Sequence, residues 1–152
     1  MRKSAGILLY RIRSGELEVF LIHPGGPFWK NKDAGAWSIP KGEYTDDEDP
    51  LQAAIREFEE ETGVSLSGEF IALTSVKQKS GKLVSAWAVE GDINPETIVS
   101  NTFPIEWPPK SGKWIQVPEV DKAGWFTLDV AKEKINAAQV SFLREAATLL
   151  FS

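Results

Sequence analysis

The chain has 152 residues, with 17 Lys and Arg against 22 Asp and Glu, one histidine and no cysteine, for a formal net charge of −5. Without thiols there is no disulfide framework, zinc ribbon, iron–sulfur cluster or cysteine nucleophile, and a serine–histidine hydrolase would be confined to His23. A pI of about 5.0 argues against general binding to nucleic acid or to an anionic membrane surface.

The length suits one domain over 1–152, with a core that needs no covalent staples. No stretch approaches the roughly 20 apolar residues of a membrane span, and Arg11 breaks the short apolar run near the start, so a cytoplasmic protein is expected. In chain order, Ala5 to Ile12 and Leu17 to His23 are apolar and β-rich around the turn residues Arg13-Ser14-Gly15-Glu16, which predicts a hairpin. Pro24 to Gly35 reads as a loop carrying Phe28 and Trp29, and Ala36 to Ile39 as a short strand leading into Pro40-Lys41-Gly42. Asp49-Pro50 then predicts a helix start, with Asp as N-cap and Pro at the first helical position, and Gly63 predicts the stop. Leu51, Ala54, Ile55 and Phe58 form the expected inward stripe.

Glu69 to Lys79 and Leu83 to Glu90 read as two strands across Ser80-Gly81. The stretch from about Gly91 to Lys113, with four prolines, reads as a long irregular loop suited to contacting a substrate. Trp114 to Val117 and Trp125 to Leu128 are short strands, and from Asp129 the chain is helical with a break near Asn136 and an inward face of Val140, Leu143, Ala147 and Leu150. Trp87 and Trp125 are expected in the core, and His23, at a strand end, in a structural role.

The acids of the central helix are the informative feature. Glu57, Glu60 and Glu61 stand at i, i+3 and i+4, which places them in one sector, expected to face solvent. Like charges so spaced repel, and they lie where the helix dipole also disfavours anions. A divalent cation accounts for the choice. Carboxylates are hard ligands suited to Mg²⁺ or Mn²⁺, and Arg56 can hold a carboxylate through a two-pronged hydrogen bond.

From Gly42 the chain runs five residues to Glu48, seven more, then Arg56-Glu57-Phe58-Glu59-Glu60-Glu61-Thr62-Gly63-Val64. This resembles the Nudix box, G-x5-E-x7-R-E-U-x-E-E-x-G-U, at every specified position and without a gap. The resemblance implies an α/β (α+β) fold, the Nudix α/β/α sandwich with a mixed β-sheet between helices. It implies metal binding by Glu57, Glu60 and Glu61 with the Gly42 carbonyl, orientation of the acids by Arg56 and Glu48, and hydrolysis of a nucleoside diphosphate linked to another group. Glu57 is then the base or a bridging ligand to Mg²⁺ or Mn²⁺.

Trp37-Ser38-Ile39-Pro40-Lys41-Gly42 is similar to the W-x-x-P-K-G entry of the asymmetric diadenosine tetraphosphate hydrolases within that superfamily, and Glu119 six residues before Trp125 is similar to their E-x5-W segment. That implies a phosphate contact for Lys41 and an outer-ligand or alternative-base role for Glu119. Trp29, Trp107 and Lys110 are the candidate substrate contacts in loops. The expected partner is a nucleotide-type small molecule, with no nucleic acid or membrane, and the protein a monomer or homodimer. A nucleoside triphosphate pyrophosphatase that clears oxidised nucleotides uses the same box, and a non-catalytic nucleotide-sensing module is a third reading.

Overall fold

The computed structural model describes residues 2–151. The expected hairpin is β1 (Lys3–Arg13) and β2 (Glu16–Pro24), joined through Ser14 and Gly15, which both have positive φ (52° and 78°). Two consecutive left-handed residues make the tight turn whose twist matches that of paired strands. β1 is buried continuously from Ser4 to Tyr10, on both faces, so its sequence shows a run of apolar residues instead of alternation.

Both edges of β1 are occupied. One pairs in parallel with β6 (Leu83–Glu90) along Lys3–Tyr10. The other is shared, with β2 on Tyr10–Arg13 and β3 (Lys41–Tyr44) on Lys3–Gly6. The two hairpin strands therefore part beyond Tyr10 and residues 38–44 fill the gap: Ser38 bridges Ile22, and Pro40 O accepts from Ile7 N at 3.1 Å. Gly6 permits the close approach, since a Cβ there would lie 2.7 Å from both Lys41 Cβ and Pro40 O. β9 (Val120–Thr127) lies antiparallel on β2, and two short ladders, β4 (Ile71–Ala72) and β5 (Val76–Lys77), lie on β6. A separate two-stranded ribbon pairs β7 (Thr102–Glu106) with β8 (Trp114–Pro118).

Helix α1 (Pro50–Thr62) begins and ends as expected. The Asp49 side chain accepts from Gln52 N at 3.1 Å, and Gly63 takes the left-handed conformation at φ 82°. α1 lays Ala53, Ala54 and Phe58 on Ala5, Ile7, Leu9 and Phe20. On the other face of the sheet α2 (Leu128–Lys134) and α3 (Val140–Phe151) bury Ala131, Phe142, Leu143 and Ala146 against Leu8, Val19, Leu21 and Ile39. Alternate residues of β1 thus feed two cores, and the molecule is a mixed sheet between helical layers, the expected α/β/α sandwich. Among the described residues no helix is long and apolar enough to cross a membrane.

Several expectations need correction. Ala36 to Ile39 is not a strand. Only single bridges form there, Ser38 to Ile22 and Trp37 to Ile135, because Pro40 offers no N–H to continue a ladder. The strand lies one step later, at Lys41–Tyr44. Glu69 to Lys79 pairs at two dipeptides only, and the supposed loop Gly91 to Lys113 contains β7, whose partner is β8. The second C-terminal strand starts earlier, at Val120, and Leu128 already belongs to α2. The chain breaks between α2 and α3 at Ile135-Asn136, as expected, but the buried face of α3 centres on Phe142, Leu143 and Ala146. On α1, Leu51 and Ile55 are only partly buried, while Glu61 is 7% exposed, so the acid sector is not a solvent face. The helix packs on the sheet along one side and against the segment bearing Lys41 and Gly42 along another, and the acids fall on that second contact.

Candidate active site

Three pieces of chain meet at the acid cluster: β3 with Lys41 and Gly42, the C-terminal half of α1, and Glu119 between β8 and β9. Gly42 stands directly against Glu57, and a Cβ on it would overlap the carboxyl carbon and both carboxyl oxygens. The backbone of Lys41, like its charge, favours the ionised form of Glu61. Gly6 and Gly42 are therefore linked in purpose, the first letting β3 approach β1 and the second letting Glu57 approach β3.

Arg56 organises the exposed side of the cluster. Its Nε and Nη2 donate to the two carboxylate oxygens of Glu48 at 2.8 and 2.9 Å, and Nη1 donates to Glu57 Oε1 and Glu60 Oε1, each at 3.0 Å. The two-pronged bond thus goes to Glu48, and the remaining donor spans two acids of the cluster. Arg56 holds Glu48 below the usual carboxylate range, and Glu48 first, then Glu60 and Glu57, keep the guanidinium firmly charged.

The other carboxyls are pushed the opposite way. Burial raises Glu61 well above the usual range, the charges of Glu57 and Glu119 add to it, and Lys41 opposes. Glu57 is raised by burial and Glu60 against the pull of Arg56, and Glu119 by burial and Glu60. Burial lowers Lys41, helped by the neighbouring charge of Lys82. Glu61 Oε2 is buried with no hydrogen-bond partner, a costly condition for a carboxylate. Among the described residues no three carboxylate or imidazole side chains are gathered closely enough to hold a metal ion together.

Glu119 reaches the cluster through backbone bonds. The last carbonyls of α1 accept from the next segment, Glu60 O from Asn101 N at 3.0 Å and Thr62 O from Val99 N at 2.9 Å, and Asn101 O in turn accepts from Glu119 N at 2.8 Å. These are helix-end carbonyls that would otherwise lack partners. Gly25 N donates to Glu119 O at 3.1 Å from the opposite side. Asn101 had no signal in the sequence, because its contribution is main-chain and long-range.

Beside the cluster opens a cleft of about 310 Å³. Lys41, Glu61, Glu119 and Trp29 line it, and Gln78 and Gln139, also in the lining, were not anticipated there. Gln139 is fully buried; its Oε1 accepts from Ile39 N at 3.1 Å and its Nε2 donates to Ser38 Oγ at 3.1 Å, which ties the chain just before Lys41 to the C-terminal layer. Trp107 and Lys110 do not line the cleft. They sit at the ribbon tip, where Trp107 is 38% exposed and Lys110 N donates to Glu106. Trp87 and Trp125 pack, partly buried, on the α1-side core. His23 is fully buried, with Nδ1 2.8 Å from Asp121 Oδ1 and Nε2 2.6 Å from Lys32 O.

A mixed sheet between helical layers, with a loop–helix–loop that brings four acids and an arginine together beside a cleft, is the architecture of a Nudix-type domain. Residues 1–146 match the family model described as the NUDIX domain, and the chain belongs to that family. A bis(5'-nucleosyl)-tetraphosphatase [asymmetrical] of Caenorhabditis elegans is 36% identical over 63 residues, 41% of this chain and 41% of that protein. Nudix hydrolase 25 of Arabidopsis thaliana is 53% identical over 38 residues, 25% of this chain and 21% of that protein. Each match thus spans less than half of the relative's length. A crystal structure of a C. elegans Ap4A hydrolase binary complex superposes with a TM-score of 0.69 at 24% identity, covering 99% of this chain and 98% of the other, and shows the shared fold.

Proposed function

We propose that the protein is a divalent-cation-dependent pyrophosphohydrolase acting on a nucleoside diphosphate-linked substrate, with a dinucleoside polyphosphate as the preferred class. One observation carries the reading: the buried carboxylate of Glu61, one oxygen of which has no partner, is crowded by Glu57 and Glu119 and lines a cleft that also presents Lys41 and Trp29. The partial match to an asymmetrical bis(5'-nucleosyl)-tetraphosphatase supports the substrate class.

The donor set fits a hard cation. Only oxygen ligands are present, they repel one another, and a positive charge among them relieves both the repulsion and the orphaned oxygen of Glu61. Glu57, Glu60, Glu61 and the Gly42 carbonyl would hold Mg²⁺ or Mn²⁺, the three carboxylates drawing together from the spread arrangement of the metal-free chain. When bound, the cation supplies positive charge that makes nearby water more acidic and offsets charge growing on the phosphate oxygens.

The chain's own residues supply the rest. Glu48 locks the Arg56 fork, and Arg56 restrains Glu57 and Glu60 so that neither swings to solvent. Glu57, raised by burial and Glu60, is suited to take a proton from the attacking water; Glu119, close enough to raise Glu61 and Glu57, is the alternative base. Lys41 meets a substrate phosphate, which restores the favourable surroundings that its burial removes. Trp29 offers a stacking face for a base.

The test is a panel of dinucleoside polyphosphates, ordinary and oxidised triphosphates, nucleotide sugars and capped RNA, each with Mg²⁺, with Mn²⁺ and with chelator. Turnover of dinucleoside polyphosphates that stops with chelator is expected. Preference for oxidised triphosphates would shift the substrate class, and activity surviving complete metal removal would overturn the mechanism.

A further inference from the structure

The histidine left out of the chemistry lies in the chain between Ile22 and Pro24, both of which line the cleft. His23 ends β2, is fully buried, and packs edge-on against Trp37 with ring centroids 5.2 Å apart. Its Nε2 lies 2.6 Å from the carbonyl of Lys32. A carbonyl oxygen only accepts, so that nitrogen carries the hydrogen. The second nitrogen lies 2.8 Å from the carboxylate of Asp121 on β9, also an acceptor, so it donates there as well. One ring therefore ties the segment of residues 25–35, which carries Trp29, to β9, the strand that Glu119 immediately precedes.

The rest of that segment is held mainly at its ends. Gly25 N bonds to Glu119 O, and Gly35 N to Glu133 O at 3.1 Å. Between them Trp29 N donates to Gly26 O and Lys32 N to Trp29 O, both inside the segment, so these bonds shape it without attaching it. Asp33, one residue beyond Lys32, accepts from Nε1 of the buried Trp37 and, at the exposed surface, from Lys134 Nζ. The interior attachment nearest Trp29 is His23.

We propose that His23 is a positioning residue, docking the 25–35 segment so that Trp29 stands at a set distance from Glu119 in the cleft. The proposal rests on the reading above that Trp29 stacks the substrate base. Removing the two hydrogen bonds then loosens base binding while the acid cluster, attached through α1 and Asn101, keeps its geometry.

The experiment compares wild type with His23→Phe, which keeps a ring of similar size and loses both bonds, and with His23→Gln, which restores a donor. Limited trypsin digestion of the free protein is read at the exposed Lys30 and Lys32. In His23→Phe, cleavage there is expected to be at least about tenfold faster, because proteolysis follows the population of the opened segment. With P1,P4-di(adenosine-5') tetraphosphate, KM is expected to rise about tenfold, the size of one lost base–aromatic stack, with kcat within about twofold. His23→Gln should recover most of both.

Asp121→Ala, at a partly exposed position, supplies the second test should His23→Phe not fold. It leaves the ring without the partner that fixes its angle, and cleavage should be several-fold faster. Cleavage at the wild-type rate in the folded variants, or a fall in kcat at unchanged KM, would overturn the proposal. If the wild type turns over none of the dinucleotides, the substrate reading fails while the trypsin comparison still decides whether His23 anchors the segment.

Discussion

The closest approach in the site, Gly42 against Glu57, allows stability and activity to be separated by one methyl group. In Gly42→Ala the new Cβ would overlap the whole carboxyl group of Glu57. Ordinary carbon contacts need about 3.5–4.0 Å, so the carboxyl group must retreat by more than about 1 Å. The obstacle is the far end of a flexible side chain, and Gly42 does not sit at positive φ, so the strand itself tolerates alanine. Loss of the Arg56–Glu57 bond costs about 0.5–1.5 kcal/mol, and reduced freedom of the unfolded chain returns about 0.4–1 kcal/mol. Net stability should change by no more than about 1 kcal/mol, a Tm shift of a few degrees. A catalytic group misplaced by about 1 Å costs on the order of 100-fold in rate, or about 2.7 kcal/mol of barrier. Thermal unfolding beside Mg²⁺-dependent kcat/KM is the assay. Activity within twofold of wild type would refute the placement of Glu57, and a collapse of Tm would refute the claim that the strand accepts a side chain.

Arg56→Lys keeps the charge but loses the fork, and should lower kcat at least about tenfold; combined with Glu48→Gln the losses should be markedly non-additive, which a double-mutant cycle reads directly. In the metal-free protein Glu57, Glu61 and Glu119 hold protons more tightly folded than unfolded, so stability falls as pH rises from the ordinary carboxylate value of about 4.5 through their raised folded values. Denaturant unfolding across that window should show the decline, and Glu61→Gln should flatten it. Trp29→Ala should raise KM about tenfold and Trp107→Ala leave it unchanged, since only the first lines the cleft. Phe58→Ala should cost about 3–5 kcal/mol by emptying the fully buried contact between α1 and Phe20.

What could be read from the chain was local. Asp49-Pro50 and Gly63 bound α1 because caps act within a few residues, and Ser14-Gly15 makes its turn unaided. The Nudix box placed the four acids and Arg56 on one helix and its lead-in, and its arginine does contact three of them. What escaped depends on partners distant in sequence. β3 exists because Gly6 lets it approach β1, and β7 because β8 arrives to pair with it. Periodicity alone set Glu61 toward solvent. It could not register that β3 would cover that sector, nor that Asn101 and Gln139 act through a carbonyl and a buried amide.

The bond from Glu119 N to Asn101 O closes the base of the β7–β8 ribbon, since the two residues flank it and Thr102 faces Pro118 in its register. From Thr102 to Pro118 the chain runs out and returns to the same point, with Val117 and Ile105 lying beside Gly26. Its outer end, from Trp107 to Lys113, can lengthen, shorten or exchange residues without moving the acid at its foot. The domain thereby keeps one part of its surface open to change while the neighbouring wall of the cleft stays in register.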